Sequence, residues 1–355
     1  MLALPKTTTM LKKKWLRNTL VVILLLAVVY LLGPHPATPV YSKAMPAVPA
    51  DTAALRQYIQ QQESMHTIKP NNQARIVWYN DSLKNKTDYS IVYLHGFSAS
   101  QEEGAPIHTN IAKEFGCNLY LARLAEHGID TTDPMMNLTP DKYWESSKQA
   151  LAIGRQLGKK VILMGTSTGG TNALQLAAAY PDQVAAVVLL SPNIAIFDKS
   201  AWILNKPWGL QIARMVVGGK YMVSADTMPP NKQYWYTKYP IEAAVQLQEL
   251  VGTAMTKETF EKVQQPLLLL YYYKDEIHHD STVSVPAMLT MFDQLGTPKD
   301  KKVKEAIPNA GTHVIGSYIR SKDLLSVQTA IEKFMNGTLN LPKTANTGIT
   351  KVTTE

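Results

Sequence analysis

The sequence predicts an α/β protein with an open, mostly parallel central sheet and helices on both faces. Short runs of apolar and β-branched residues alternate with longer helix-like segments, as in 89–94 followed by 107–115. Several of these runs are apolar throughout, which is typical of parallel strands that are buried on both faces. One run, 159–164, leads into Gly165-Thr166-Ser167-Thr168-Gly169 and then into an Ala/Leu-rich helical segment. We therefore expect strand–helix–strand units, with any ligand at the carboxyl ends of the strands.

The elements follow one another in a regular order with one interruption. The predicted strands are 74–79, 89–94, 118–123, 159–164, 184–190, 266–273 and 302–307. The predicted helices are 51–65, 107–115, 141–157, 171–180, 283–295 and 321–335. Residues 194–264 break the alternation with aromatic, helix-like pieces around Pro229-Pro230. We expect one domain over 51–340, with a helical cap at about 194–264 above the sheet edge.

The N-terminal region has the features of a membrane segment. A basic stretch within residues 1–18 precedes an apolar run, placed at 19–33, and a Pro-rich tether at 34–50 follows. The first acceptable cleavage site, Ser42-Lys43-Ala44, comes late for a secretory signal. We expect an uncleaved anchor with a cytoplasmic N-terminus and an exported domain, with secretion after cleavage as the alternative. The polar tail, 341–355, is expected to be disordered.

Charge and cysteine content exclude some classes of function. The net charge of +8 consists of +5 in residues 1–20, +1 in residues 343–355 and +2 in the rest. The small net charge of the predicted domain therefore argues against a nucleic-acid-binding surface. Cys117 is the one cysteine, so the chain has no internal disulfide or cysteine-based zinc cluster. The composition leaves the oligomeric state open.

Ser167 is the predicted nucleophile. A strand that turns sharply into a helix forces the turn residue into a strained conformation, so its neighbours at minus two and plus two must be very small. Gly165 and Gly169 meet that requirement. The serine hydroxyl is then exposed above the sheet, at the positive end of the following helix.

A serine hydroxyl needs a base, and the base needs a carboxylate to orient it. Asp275 is the first carboxylate after the strand that follows the cap, and His313 follows the last strand. Both loops lie at the carboxyl ends of parallel strands, in the chain order serine, acid, histidine. We therefore predict a triad of Ser167, Asp275 and His313. Two other acids, Glu276 and Asp280, and two other histidines, His278 and His279, are alternatives.

The oxyanion of a tetrahedral intermediate needs two hydrogen-bond donors that are already in place. The backbone N–H of Thr168 is predicted to be one donor. The second is expected from the loop after strand 89–94, most directly from the N–H of Phe97, to which Ser98 adds a hydroxyl.

The chain resembles the α/β-hydrolase superfamily over roughly residues 72–338, and in particular its serine esterase, monoacylglycerol-lipase-like and serine aminopeptidase-like branch. The motifs that carry the resemblance are His95-Gly96-Phe97-Ser98, Gly165-Thr166-Ser167-Thr168-Gly169-Gly170, Lys274-Asp275-Glu276 and Gly311-Thr312-His313. The resemblance implies acyl transfer to water without a cofactor or metal. One departure is Glu126, in Leu124-Ala125-Glu126-His127-Gly128, where many members carry a glycine.

We expect a membrane-tethered serine hydrolase that cleaves carboxylic esters of small molecules. The segment 236–243 is similar to the cap-to-core segment of carboxylesterase-like members, which favours esters. An exopeptidase or amidase of the same fold is one alternative, because the cap contains acids that could bind a free amine. A non-catalytic binding protein on a hydrolase scaffold is another, because fold alone does not fix function.

Overall fold

The computed structural model describes residues 7–226 and 228–344. The strands within these residues are β1 (Arg75–Val77), β2 (Thr87–Leu94), β3 (Asn118–Leu121), β4 (Gly158–Thr166), β5 (Ala186–Leu190), β6 (Tyr221–Val223), β7 (Lys238–Pro240), β8 (Leu267–Tyr271) and β9 (Lys302–Ala306). The helices are α1 (Thr7–Leu31), α2 (Thr52–Ser64), α3 (Ile107–Glu114), α4 (Pro140–Leu157), α5 (Thr168–Ala179), α6 (Gly209–Val217), α7 (Pro229–Tyr234), α8 (Ile241–Ala254), α9 (Lys257–Lys262), α10 (Val285–Gln294) and α11 (Leu324–Lys333).

The central sheet is mostly parallel, as predicted. Its strand order is β1-β3-β2-β4-β5-β8-β9, and the β1–β3 pair is antiparallel while the other pairs are parallel. The register pairs Val92 with Leu163 and Met164 with Val188. The loops after β2, β4, β5, β8 and β9 therefore share one edge of the sheet.

The apolar strands are buried on both faces because helices cover both sides of the sheet. Leu163 and Val187 belong to the core cluster that also contains residues of α4 and α5. Their chain neighbours Ile162 and Val188 belong to the second cluster, which contains residues of α3 and α11. This alternation explains why the sequence of these strands is apolar throughout.

The cap lies between the end of β5 and the start of β8, where the interruption of the pattern was predicted. It consists of α6 to α9 and the antiparallel pair of β6 and β7. Tyr236 connects it to the body, because its N–H donates to the carbonyl of Ser98 at 2.8 Å. Its hydroxyl accepts a hydrogen bond from the N–H of Ile129 at 2.6 Å and donates one to the carbonyl of Ile129 at 2.7 Å.

The N-terminal helix α1 contains a window, Lys14–Leu31, that is long and apolar enough to cross a membrane. None of that window is buried against the rest of the chain. The helix ends beside the cap, where the Trp208 indole donates to the carbonyl of Val29 and the Trp208 N–H donates to that of Pro34, both at 3.0 Å. The apolar helix therefore leaves the domain from the cap side.

The Pro-rich segment after α1 is extended, but it lies along the domain. The N–H of Val40 donates to Asp141 at 2.7 Å, and the Trp144 indole donates to the carbonyl of Ser42 at 2.7 Å. The fully buried ammonium of Lys148 donates to the carbonyls of Ser42 and Ala44 at 2.9 and 2.7 Å. Part of the predicted tether is thus bound to α4.

The C-terminal tail begins in contact with the domain. Thr344 donates its N–H to the carbonyl of Glu114 at 2.8 Å, and Lys343 forms ion pairs with Glu114 and Glu332. Residues 345–355 of the predicted tail, and residues 1–6 of the predicted basic segment, lie outside the described residues.

Candidate active site

Ser167 occupies the sharp turn between β4 and α5, where the sequence predicts it. Its φ of 53° and ψ of −121° are strained for a residue with a side chain. Two neighbouring glycines make the turn possible. A Cβ at Gly169 would lie 1.9 Å from the carbonyl oxygen of Leu94, and one at Gly165 would lie 2.5 Å from the backbone of Gly169. Ser167 is 7 % exposed and lines a cavity.

His313, in the loop after β9, is held by a buried carboxylate. Its Nδ1 donates to Oδ2 of Asp280 at 2.6 Å, and Asp280 has no exposed surface. The other carboxylate oxygen accepts the N–H groups of Thr282 and Val283 at 2.8 and 3.1 Å. The Nε2 of His313 is buried and has no hydrogen-bond partner among the described residues. With the proton of the neutral ring on Nδ1, Nε2 is free to accept a proton.

Burial lowers the pKa of His313, but the charge of Asp280 and the hydrogen bond to it outweigh this effect and raise the pKa above its usual 6.5. The negative charge of Glu103 also raises it. The protonated form of the imidazole is therefore stabilised in this site.

The prediction of Asp275 as the triad acid is wrong. Its carboxylate contacts His278 Nδ1 at 2.9 Å and is 49 % exposed. The preceding strand, β8, ends at Tyr271, and a turn closed by a bridge between Tyr273 and His279 follows it. This turn places Asp275 at the surface, and the chain then returns towards the core with Asp280.

Ser167 and His313 line the same cavity, which has a volume of about 610 Å³ and lies between the sheet edge and the cap. Most of its lining is apolar, and much of it comes from the cap. The apolar lining residues include Ile196, Ile203, Leu204, Ile212, Ala213, Val216, Val217, Met222, Ile241, Leu247 and Val283. Two of the cap aromatics, Trp235 and Tyr239, also line it. The arrangement suits an apolar group bound beside a serine nucleophile.

The two predicted oxyanion donors belong to residues that line this cavity. Phe97 lies in the loop after β2, and Thr168 begins α5 directly after Ser167. Their backbone N–H groups remain the predicted donors.

Two buried histidines shape the loop that contains Phe97. The N–H of Leu124 donates to His95 Nε2 at 3.0 Å, and the N–H of Ser98 donates to His127 Nε2 at 3.0 Å. Burial lowers the pKa of His95 to about 4 and that of His127 well below its usual value, so both rings are neutral acceptors. Ser98 has a φ of 63°, so the bond to His127 supports a strained position. His95 belongs to the His95-Gly96-Phe97-Ser98 motif, whereas no sequence pattern connects His127 with that loop.

The replacement of glycine by Glu126 is accommodated without loss of the local turn. Glu126 has a φ of 64°, a conformation that glycine adopts freely and other residues rarely. Its carboxylate accepts a hydrogen bond from Lys142 at 3.0 Å. Glu126 thus adopts a left-handed conformation that a glycine at this position would adopt without strain.

Glu103 is a further cavity residue that the sequence does not identify. It is 2 % exposed, and its Oε2 accepts the N–H of Gly96 at 2.5 Å. The only sequence signal is its position shortly after the His95-Gly96-Phe97-Ser98 loop. Among residues 7–226 and 228–344 no group of three or more His, Cys, Asp or Glu is arranged to hold a metal ion.

The comparisons with known proteins concern the fold. Residues 141–306 match a family model described as serine aminopeptidase, S33. A chain solved in work on LipS and LipT, two metagenome-derived lipolytic enzymes, superposes with a TM-score of 0.61 at 15 % identity, covering 76 % of this chain and 99 % of that one. A monoacylglycerol lipase from Paleococcus ferrophilus superposes with a TM-score of 0.53 at 14 % identity, covering 74 % and 97 %. At these identities the structural matches establish the fold.

Proposed function

We propose that this chain, which has the α/β-hydrolase fold, is a membrane-tethered serine hydrolase that cleaves carboxylic esters through an acyl-enzyme on Ser167. One observation carries the proposal. A serine in a strained strand-to-helix turn and a histidine bonded to a buried aspartate line the same apolar cavity. The hydrogen bonds of Asp280 to His313, Thr282 and Val283 offset the cost of burying its carboxylate and hold the imidazole in place.

The proposed reaction has two symmetrical halves. Ser167 Oγ attacks the ester carbonyl while His313 Nε2 takes its proton, and Asp280 stabilises the imidazolium. The N–H groups of Phe97 and Thr168 hold the oxyanion. The carbonyl re-forms as the alcohol leaves with the proton from His313. Water then attacks the acyl-enzyme with the same base, and the acid is released with Ser167 restored.

The cavity favours an ester of an apolar acid or alcohol over a peptide with a free amine. Its lining is mainly aliphatic. The cap acid in that lining, Asp198, uses one carboxylate oxygen to accept the N–H and hydroxyl of Ser200 at 2.8 and 2.7 Å. Glu103 is bonded to Gly96. One oxygen of each carboxylate is thus engaged within the protein, and the preference for an ester rests on the mainly aliphatic lining of the cavity.

The tether is proposed from α1 and its contacts. An exposed apolar helix of this length is unfavourable in water and is stable in a bilayer. The basic residues before it favour a cytoplasmic N-terminus, which would place the domain outside the cytoplasm. The end of α1 contacts Trp208, which directly precedes α6, so insertion of α1 would bring the exposed Met215 and Val216 of α6 close to the bilayer.

The test is hydrolysis by the full chain in detergent. We expect p-nitrophenyl esters to be cleaved by the wild type and not by Ser167→Ala, with a chain-length optimum set by the cavity. Aminoacyl-p-nitroanilides should be poor substrates. Cleavage of anilides without esters would support the exopeptidase alternative, and cleavage of neither by a folded protein would support the binding-protein alternative.

A further inference from the structure

Glu103 is a buried carboxylate that the Ser167, His313 and Asp280 set does not use. It lies in a short 3-10 turn, Gln101–Gly104, directly after the loop that contains Phe97. Its side chain lines the cavity together with Ser167 and His313. A carboxylate with 2 % exposure is costly to keep unless its charge or its hydrogen bonds are used.

The geometry around Gly96 places Glu103 beside the nucleophile. A Cβ built on Gly96 would lie 2.9 Å from Glu103 Oε1 and 3.0 Å from Ser167 Cβ. Glu103 and Ser167 therefore approach the same point next to Gly96, and the absence of a side chain there leaves room for both. The Gly96 N–H donates to Glu103 Oε2 at 2.5 Å, so the carboxylate also holds the His95–Gly96 peptide, one peptide before that of the Phe97 N–H.

Two positively charged or chargeable groups act on Glu103, and of these His313 is the one that lines the cavity with it. Burial raises the pKa of Glu103 to about 7, while the Gly96 N–H, the charge of His313, the Trp235 side chain and the charge of Arg320 favour the ionised form. Arg320 itself is paired with Asp226.

The charge of Glu103 also acts on the hydroxyls of two buried tyrosines. Burial raises the pKa of Tyr93 and Tyr143 well above 10, and the negative charge of Glu103 raises both further. Both hydroxyls are therefore neutral and add no charge to the site.

We propose that Glu103 is a positioning residue for the serine reaction: its carboxylate fixes the Gly96 peptide beside Ser167, and its negative charge stabilises the imidazolium that His313 forms. The inference rests on the proposed function, because it assigns His313 as the base. Two carboxylates then act on one imidazole. Asp280 holds Nδ1 through a hydrogen bond, and Glu103 acts through space from the side of the nucleophile.

The test compares Glu103→Gln, Glu103→Ala and the control Glu102→Gln in the full chain, using the pH profile of kcat/KM for p-nitrophenyl butyrate. Glutamine keeps an acceptor for the Gly96 N–H but lacks the charge. We expect Glu103→Gln to lower kcat/KM about 10-fold at pH 8, because a change of one unit in the pKa of His313 corresponds to a factor of about ten in the stability of its imidazolium. We also expect it to move the acidic limb about one pH unit lower, because His313 loses a neighbouring negative charge. Glu103→Ala should lose more, since it leaves the Gly96 N–H without a partner.

The control Glu102→Gln should match the wild type, because Glu102 lies on the same turn but does not line the cavity. A wild-type rate and pH profile in Glu103→Gln would overturn the proposal. So would a loss of rate with an unchanged acidic limb, because that result would leave Glu103 a structural role alone.

A second measurement separates this inference from the proposed function. The imidazole of His313 is titrated by NMR in ¹³C-histidine-labelled wild type and Glu103→Gln, with the resonance assigned by a His313→Gln variant. We expect a lower His313 pKa in Glu103→Gln, whether or not any ester is cleaved. An unchanged pKa overturns the inference, whereas failure to cleave esters overturns only the proposed function.

Discussion

Replacing Asp280 with asparagine should disable the site while leaving the fold intact. The asparagine would still offer an oxygen to the N–H groups of Thr282 and Val283, which Asp280 Oδ1 accepts at 2.8 and 3.1 Å. Its amide would then face His313 Nδ1, which lies 2.6 Å from Asp280 Oδ2. Because an amide N–H donates, Nδ1 would have to accept and the ring proton would move to Nε2. His313 could then no longer take the proton from Ser167.

The loss of activity should be large because the substitution removes the basic nitrogen that faces Ser167 and also removes the negative charge that stabilises the imidazolium in the transition state. In serine proteases the corresponding change costs about 10⁴-fold in kcat. The buried pair here predicts about 10³- to 10⁴-fold, or roughly 4 to 5 kcal/mol of barrier. The assay is kcat for a short p-nitrophenyl ester, with thermal unfolding to check the fold.

Asp275→Asn is the matched control, since it makes the same chemical change nearby in the chain but at the surface. It should stay within about twofold of the wild type because exposed ion pairs contribute little. Retention of more than about a tenth of the activity by Asp280→Asn would refute the reasoning. An equal loss in Asp275→Asn would do the same.

Three further results are expected. Gly169→Ala should unfold the domain or cost more than about 3 kcal/mol of stability, because the new Cβ would lie 1.9 Å from a backbone oxygen; Gly219→Ala, with nothing within 4 Å, should be nearly neutral in thermal unfolding. The kcat/KM of the wild type should rise with pH through a midpoint above 6.5, because the raised pKa of His313 keeps the base protonated at lower pH; a midpoint well below 6.5 would contradict this. Glu103→Gln should raise the melting temperature at pH 8 but not at pH 4. The pKa of Glu103 is about 7 in the folded protein and 4.5 in the unfolded chain, so the wild type loses up to about 3 kcal/mol of stability as the pH rises through that window. Equal melting temperatures of the wild type and Glu103→Gln at pH 8 would contradict this prediction.

The sequence was sufficient for features that depend on local sterics and on topology. The turn at Ser167 needs small residues at fixed positions, so Gly165 and Gly169 identify it without any tertiary information. The mostly parallel sheet follows from the order of apolar runs and helical segments. Because parallel strands share an edge, the loop that contains His313 could be placed near Ser167 by order alone.

The sequence was not sufficient where a loop path decides the outcome. Choosing the first carboxylate after a strand failed at Asp275, because the turn between Tyr273 and His279 delays the return of the chain to the core. The polar stretch before Asp280 and the apolar Val283 and Val285 after it were the available signals.

Contacts between distant segments left even less trace in the sequence. The bonds from His127 to the Ser98 loop and from Lys148 to the N-terminal segment join residues far apart in the chain. No spacing rule covers such pairs.

The most direct test of the serine mechanism is labelling by a fluorophosphonate, which reacts with an activated serine. The full chain in detergent is treated with the probe, and the adduct is located by mass spectrometry in the wild type and in Ser167→Ala. We expect one adduct on Ser167 in the wild type and none in the variant. A folded wild type without an adduct, or labelling that persists in Ser167→Ala, would contradict the assignment of Ser167 as the nucleophile.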